Sequence, residues 1–322
     1  MSYLLPVISS LNSSALCIKT DILSTLAYFD LFNYPLTQSE IVLFSPNTHH
    51  KRAYGEALQA LLAQKRIFRF EEFYTLHDEP CLITRRRKGN GKAKGLLSTA
   101  DRIAALLACF PFVRGVAVSG SLSKNYADDD SDIDLFIITA RNRLWLARTL
   151  MHCLKKASYL VNKQQLFCMN YFVDEAALEI CEKNIYTATE VVTLLPLRGI
   201  AAFNSFYAHN GWTRTFLPNH SMRISHVKDN RRTHLRQFAE FCLDHGLGNF
   251  IDTMLMKLTS FRWQQKTTRG RRNARGVVMS MSASKHIAKP DPATFQEKLV
   301  RLHEKKVSHL AAHEPVNVQS AY

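Results

Sequence analysis

A glycine-serine pair and a later pair of carboxylates constrain the fold of this chain more than any other feature. The apolar residues 116–118 predict a strand that runs into Gly120-Ser121. Ten intervening residues then lead to Asp132-x-Asp134, whose apolar continuation predicts a strand buried on both faces. Side chains two apart on a strand project from the same face. The sequence therefore predicts one strand that ends in a glycine turn and a following strand that opens with paired carboxylates.

This combination is similar to the pattern of the DNA polymerase beta-type nucleotidyltransferase superfamily. In that pattern a hydrophobic strand with Gly-Ser or Gly-Gly precedes Asp-hydrophobic-Asp-hydrophobic by about nine to thirteen residues. The match covers Arg114 to Thr139 directly, and the order of the flanking elements extends it to about residue 174. The resemblance implies Mg²⁺ as cofactor and a nucleoside triphosphate as substrate, whose nucleoside monophosphate is transferred to a hydroxyl of an unidentified acceptor.

Asp132 and Asp134 are the predicted metal ligands, because two carboxylates on one strand face supply the hard oxygen donors that Mg²⁺ prefers. The alternative interpretation is a solvated acidic loop, which we favour for Asp128 to Asp130. It fits Asp134 poorly, since this residue lies in an apolar stretch and an unpaired buried charge is costly.

Four residues near the glycine turn are the predicted nucleotide-binding residues. Gly120 has no β-carbon, so the backbone can approach phosphates, and Ser121 adds a hydroxyl and free amides at the start of a short helix. Lys124, one turn further on, can reach the β- and γ-phosphates as a point charge. Ser123 is the weaker candidate of the four.

The resemblance also implies a third carboxylate on a later strand, where it serves as a metal ligand or as the base for the attacking hydroxyl. In the predicted strand 166–173 the central polar residue is Asn170, which cannot act as a base. Asp174 shares the face of Asn170 by alternation and is the predicted third catalytic residue, ahead of Glu175 and Glu179. The absence of a carboxylate at position 170 argues against catalytic turnover more than against nucleotide binding.

The predicted fold class is α/β of the α+β type, with a small mixed sheet. Residues 20–80 read as three helices and a hairpin, with a Thr37/Glu40 capping box, and resemble a winged helix-turn-helix domain. A basic linker, a nucleotidyltransferase domain and a mostly helical C-terminal region are predicted to follow, over residues 81–95, 96–180 and 181–310.

The net charge of +15 is concentrated in a few segments. The runs 85–94 and 266–275 are basic, which indicates either weak, non-specific contact with nucleic acid or linkers kept soluble by charge. Residues 1–80 have 6 basic and 8 acidic side chains, a poor composition for reading DNA. The alternative function is still a nucleic-acid-binding regulator whose transferase fold senses nucleotide or is degenerate. A purely structural interaction protein is a third possibility, but it leaves the paired motifs unexplained.

The remaining sequence features bear on compartment and metal content. No basic N-terminal signal region and no apolar stretch near 20 residues is present, so we expect a cytoplasmic protein without a membrane partner. Seven scattered cysteines without a CxxC pair indicate free thiols. The thirteen histidines form no zinc-binding pattern on a helix, and ligation by His49 or His50 is not expected.

Overall fold

The computed structural model describes residues 5–129, 131–158, 168–221, 227–229, 233–270, 281–290 and 293–312. Within these residues the chain forms eleven α-helices, one sheet of three strands and one of six. The mixed α/β class expected from the sequence is confirmed. None of the described helices combines the length and apolar character that a bilayer-spanning segment requires.

The N-terminal unit contains the three helices and the hairpin that the sequence predicts, but its first helix begins at Leu5 instead of near residue 20, and a short strand follows that helix. Its elements are α1 (Leu5–Asp30), β1 (Leu36–Thr37), α2 (Gln38–Leu43), α3 (Lys51–Ala63), β2 (Phe68–Phe70) and β3 (Phe73–Thr75). The strands form an antiparallel sheet in the order β1-β3-β2. The capping box is confirmed, because the Thr37 hydroxyl accepts from the Glu40 amide and the Glu40 carboxylate accepts from the Thr37 amide.

Residues 81–95 are not a linker; this prediction was wrong. They open a continuous helix, α4 (Cys81–Leu107). Acidic partners neutralise much of the basic run: Arg85 with Asp128, Arg86 with Glu40, Arg87 with Glu71, and Lys92 with Asp129. At Gly89 an added β-carbon would lie 2.3 Å from the Tyr126 ring. This glycine therefore permits close packing, although its presence in the run suggested a flexible linker.

The central sheet has the strand order β7-β4-β5-β6-β9-β8. Strands β5 and β6 are parallel, and the other neighbours are antiparallel. The elements from here to the C-terminus are β4 (Val113–Val118), α5 (Gly120–Ser123), β5 (Asp134–Thr139), α6 (Leu144–Ser158), β6 (Cys168–Asp174), α7 (Ile185–Thr193), β7 (Leu195–Arg198), α8 (Ile200–His209), a 3₁₀ helix (Gly211–Thr215), α9 (His234–Leu243), α10 (Gly246–Thr268), β8 (Met281–Ala283), β9 (Ile287–Pro290) and α11 (Ala293–Ala312).

The region beyond residue 180 contributes more than helices. Three of the six strands, β7, β8 and β9, come from this region, which the sequence predicts as mostly helical. Strand β7 pairs with β4, and β9 pairs with β6, so both flanks of the core sheet are supplied from the C-terminal region. The strands are only three or four residues long, and their positions depend on the sheet that they join.

Helices cover both faces of the sheet. Alternate residues of β4 and β5, such as Val116 and Ile137, pack with apolar side chains of α4, α6 and α10. The intervening residues, such as Ala117 and Phe136, pack with α7 and α8 through a second cluster that includes Phe203 and Phe206. This alternation explains why both strands are almost wholly apolar after their first residues.

The last helix returns to the first. Lys306 of α11 pairs with Asp30 of α1, and Nε2 of His303 lies 3.0 Å from the Ser24 carbonyl oxygen. Leu310 packs against the apolar cluster of the N-terminal unit. The N-terminal unit is therefore held by the end of the described chain as well as by α4.

Glu240 of α9 carries the clearest electrostatic contribution to stability. Its carboxylate accepts hydrogen bonds from Arg114 (2.8 Å), from Arg236 (3.0 Å) and from the amide of Phe112 (2.7 Å). Burial alone would raise the pKa of Glu240 above 4.5, but these hydrogen bonds outweigh burial and lower the pKa to about 2. A carboxyl whose pKa is lower in the folded state stabilises the fold above the unfolded-state pKa, and this contribution disappears as the pH falls through the folded-state value.

Replacing Glu240 with glutamine should therefore reduce the free energy of unfolding by about 2–3 kcal/mol near neutral pH. The difference from the unmodified chain should shrink between about pH 5 and about pH 2. Urea unfolding at several pH values measures this. Glu56→Gln removes an exposed carboxylate that pairs with Arg52 and should change little. A loss that stayed the same at every pH would show that the Glu240 charge does not stabilise the fold.

Candidate functional site

The glycine turn lies directly against one of the predicted metal ligands. Gly120 has φ +68°, a backbone conformation that side chains other than glycine rarely adopt. A β-carbon on Gly120 would lie 2.8 Å from Oδ2 of Asp134. The amide of Ser119 donates to the carbonyl oxygen of Asp134 at 2.9 Å, so the end of β4 is tied to the start of β5. Gly120 therefore allows the backbone of the turn and the Asp134 carboxylate to meet.

Asp132 and Asp134 both remain partly accessible at the start of β5. Ile133 between them is buried, as alternation along an extended segment requires. Both carboxylates act on the Cys168 thiol of β6, whose pKa rises to about 11, mainly through burial and then through Asp134 and, more weakly, Asp132. The two predicted metal ligands are thus close enough to influence the same neighbouring group.

Asn170 lies at a register shift in β6, and its side chain reaches Asp134. Its side-chain amide donates to Oδ1 of Asp134 at 2.5 Å, and its own Oδ1 lies 3.2 Å from the Cys168 sulfur. Strand β6 runs parallel to β5, with Cys168 opposite Asp134. The side chain that meets the paired carboxylates from the third strand is therefore a neutral amide.

Asp174 lies at the C-terminal end of β6, far from the other predicted site residues. It pairs with Thr139, five residues beyond Asp134, which corresponds to about 17 Å along the strands. Its fully buried carboxylate accepts hydrogen bonds from the amides of Asn142 and Ala176 and lies 2.8 Å from Nδ1 of His286. These contacts give Asp174 a structural role, so the geometry does not support it as the third catalytic carboxylate.

Asp174→Asn should consequently reduce stability without reducing the nucleotide affinity of the folded protein. In asparagine an NH₂ group replaces one carboxylate oxygen. At least one hydrogen-bond donor around position 174 then faces another donor, and the free energy of unfolding should fall by about 1–3 kcal/mol. Thermal unfolding and nucleotide binding below the transition measure the two effects separately. Loss of nucleotide affinity in a folded Asp174→Asn variant would restore Asp174 as a site residue.

The other predicted nucleotide-binding residues differ in accessibility. Ser121 is exposed, whereas Ser123 is buried and its hydroxyl donates to the Gly120 carbonyl oxygen at 2.8 Å. Lys124 donates from Nζ to the same carbonyl oxygen at 3.1 Å and to Oε1 of Glu190 at 2.7 Å. Ser121 and Lys124 are therefore available beside the turn, while Ser123 stabilises the turn itself.

Sequence reasoning missed two residues of α7 that border this site. Glu190 pairs with Lys124. Burial raises the pKa of Tyr186, with further contributions from Glu190, Tyr28 and Asp134. Both residues come from a helix more than fifty positions beyond the motif, and no local pattern marked them. Asn170 did carry a signal, since alternation predicts it on the same strand face as Asp174, the expected third carboxylate.

The structure describes all of the basic run 85–94 but only the first part of the basic run 266–275. The run 85–94 lies on α4, where acidic side chains pair with most of its cations. Asp128 and Asp129 are exposed, as predicted, and are among these partners. Of the run 266–275, residues 271–275 lie outside the described residues. Contact with nucleic acid therefore stays a prediction, and the neutralised charge on α4 weakens it.

Comparison of the chain with protein-family models, curated proteins and solved structures finds no match. The functional interpretation consequently depends on the geometry around Gly120 and Asp134.

Proposed function

We propose that this chain is a Mg²⁺-dependent nucleotidyltransferase, which transfers a nucleoside monophosphate from a nucleoside triphosphate to a hydroxyl of an acceptor. The observation that carries the proposal is the contact of the Gly120 turn with the Asp134 carboxylate across two paired strands. This contact supports a site in which backbone amides bind a triphosphate and a neighbouring carboxylate binds the metal ion on the same triphosphate.

The residues present fit a magnesium ion. Asp132 and Asp134 offer partly accessible hard oxygen donors, and the backbone beside them carries no β-carbon. When bound, Mg²⁺ supplies charge neutralisation at the triphosphate. The chain's own contribution is to place the two carboxylates at the start of β5, an inner strand of the six-stranded sheet.

Lys124 and Ser121 are the groups that we assign to the phosphates. The Lys124 ammonium is held beside the turn by Glu190 and the Gly120 carbonyl oxygen, within reach of a ligand on the turn. A phosphate oxygen would compete with Glu190 for this ammonium. Ser121 contributes an exposed hydroxyl on the opening turn of α5.

Asn170 favours a second candidate function, namely binding of a nucleotide without turnover. Residues 159–173 contain no aspartate or glutamate, so this stretch supplies no base for the acceptor hydroxyl. In this alternative the chain senses a nucleotide, and the winged-helix-like N-terminal unit transmits the signal to nucleic acid. The seven free cysteines are consistent with our expectation of a cytoplasmic protein in either case.

Equilibrium binding of the four ribonucleoside triphosphates with and without Mg²⁺, followed by a pyrophosphate-release assay with hydroxyl-bearing acceptors, tests the proposal. We expect binding that requires Mg²⁺ and pyrophosphate release that requires an acceptor. Mg²⁺-dependent binding with no release for any acceptor would favour the sensor. Absence of nucleotide binding at millimolar concentration would refute both functions.

A further inference from the structure

Three metal-binding side chains meet between α1 and the segment that connects α2 to α3. They are the Cys17 thiol, the Asp21 carboxylate and the His49 imidazole, and one ligand atom of each lies within 4.8 Å of the other two. Cys17 and Asp21 are four residues apart on α1 and therefore lie on the same side of the helix. His49 comes from the segment just before α3, so the cluster joins two elements that are separate in the sequence.

Neighbouring groups fix the cluster in place. Asn47 donates from Nδ2 to both oxygens of Asp21 at 3.1 Å, and Nε2 of His49 lies 2.6 Å from Oδ2 of Asp21. The His49 ring packs edge-on against the Tyr54 ring, with 5.5 Å between centroids. Asp21 is buried, whereas Cys17 is exposed. The Asp21 carboxylate and the His49 imidazole are thus held by contacts within the protein, and the cluster is open to solvent at Cys17.

We propose that Cys17, Asp21 and His49 bind one Zn²⁺ ion, with a water molecule as the fourth ligand. Sulfur, nitrogen and oxygen donors together suit zinc, whereas Mg²⁺ prefers oxygen alone. This site therefore differs in chemistry and in residues from the proposed nucleotide site, and its test is independent of that function. The set of three protein ligands and one water is one that zinc adopts in proteins.

Binding requires the His49 and Asp21 ligand atoms to move apart. Two ligand atoms at about 2.0–2.1 Å from a tetrahedral zinc lie about 3.3 Å apart, so Nε2 of His49 and Oδ2 of Asp21 must separate by about 0.7 Å. The Cys17 thiol releases its proton to water and binds as thiolate. The imidazole binds through Nε2 and keeps one proton on Nδ1. His49 lies in the connection between α2 and α3, outside both helices.

The ion would join α1 to a segment that also holds the C-terminal half of the chain. Asn219 donates from Nδ2 to the carbonyl oxygens of Val42 and Asn47 at 3.0 Å, and its own Oδ1 accepts from Thr48 at 2.8 Å. These contacts flank His49 on the same segment. A zinc ion here would link α1 to this segment, and binding of zinc should raise the thermal stability of the whole chain.

Titration of the metal-free full chain with Zn²⁺, in competition with a chromophoric chelator, tests the site. We expect one zinc per chain, with affinity weakened at least about tenfold in Cys17→Ser and in His49→Gln. Cys81→Ser is the matched control, because Cys81 is likewise exposed but stands at the start of α4. Circular dichroism establishes that each variant is folded.

Cobalt provides a second readout that identifies the sulfur ligand. Co²⁺ added to the unmodified chain and to Cys81→Ser should give a thiolate-to-metal absorption band, which Cys17→Ser should lack. Equal zinc affinity in Cys17→Ser and Cys81→Ser would overturn the proposal, as would an unchanged cobalt band in Cys17→Ser. Failure of the unmodified chain to compete with the chelator for zinc would also overturn it.

Discussion

Asp134→Asn should strongly weaken Mg²⁺-dependent binding of a nucleoside triphosphate and leave the fold intact. Asparagine removes the charge of a proposed metal ligand but keeps an oxygen that can accept the hydrogen bond from Asn170. Because the proposed site has only two charged ligands, loss of one should weaken the affinity for Mg²⁺-ATP about a hundredfold, or about 2.7 kcal/mol. Calorimetric titration of ATP in the presence and absence of Mg²⁺ measures this change.

Asp129→Asn is the matched control for this experiment. It makes the same chemical change at an exposed carboxylate that pairs with Lys88 and Lys92, only a few residues before the site. Mg²⁺-ATP affinity should be unchanged in this variant. If Asp134→Asn bound Mg²⁺-ATP as tightly as Asp129→Asn does, the assignment of Asp134 as a metal ligand would be wrong.

Asn170→Asp should convert the neutral third position into a carboxylate and strengthen metal binding. Its oxygens would replace an amide that now lies 2.5 Å from Oδ1 of Asp134. A third carboxylate should raise Mg²⁺ affinity about tenfold or more, since affinity for such ions rises with the number of charged ligands. Without metal the carboxylates would repel one another, so the variant should be less stable and should gain more thermal stability from Mg²⁺.

Pyrophosphate release by the Asn170→Asp variant then separates the two candidate functions. A large increase in release would indicate that Asn170 limits turnover and that the unmodified chain acts mainly as a nucleotide-binding protein. Asn170→Ala is the control, because it removes the amide without adding a charge. If Asn170→Asp gained no more stability from Mg²⁺ than Asn170→Ala, position 170 would not belong to a metal site.

Features encoded over short stretches of sequence could be predicted correctly. The capping box at Thr37 and Glu40 needs only side chains three residues apart, and the structure contains both of its hydrogen bonds. The strand before Gly120 and the strand beginning at Asp134 follow from local apolar runs. The pairing of these strands brings the glycine turn beside Asp134, and their service in one site stays a prediction.

Features that depend on distant partners could not be predicted. Residues 81–95 have the composition of a linker, and the acidic partners of their arginines come from other elements of the fold, so the local sequence did not reveal the helix. Strict alternation predicts Asp174 on the strand face of Asn170, but a register shift in β6 beside Asn170 breaks the alternation, and the pairing places Asp174 beside Thr139 instead of Asp134. Glu190 meets Lys124 from a helix 66 residues further along the chain. Periodicity gives the face of a strand, whereas register and packing decide which residues meet.

Anomalous diffraction from crystals grown with Mn²⁺ and a non-hydrolysable nucleoside triphosphate tests the central claim most directly. Manganese accepts the same oxygen ligands as magnesium. We predict an anomalous peak in contact with the carboxylates of Asp132 and Asp134, and triphosphate density beside the backbone of Gly120 and Ser121. Nucleotide density elsewhere on the chain, or manganese bound without contact to Asp134, would contradict the proposed site.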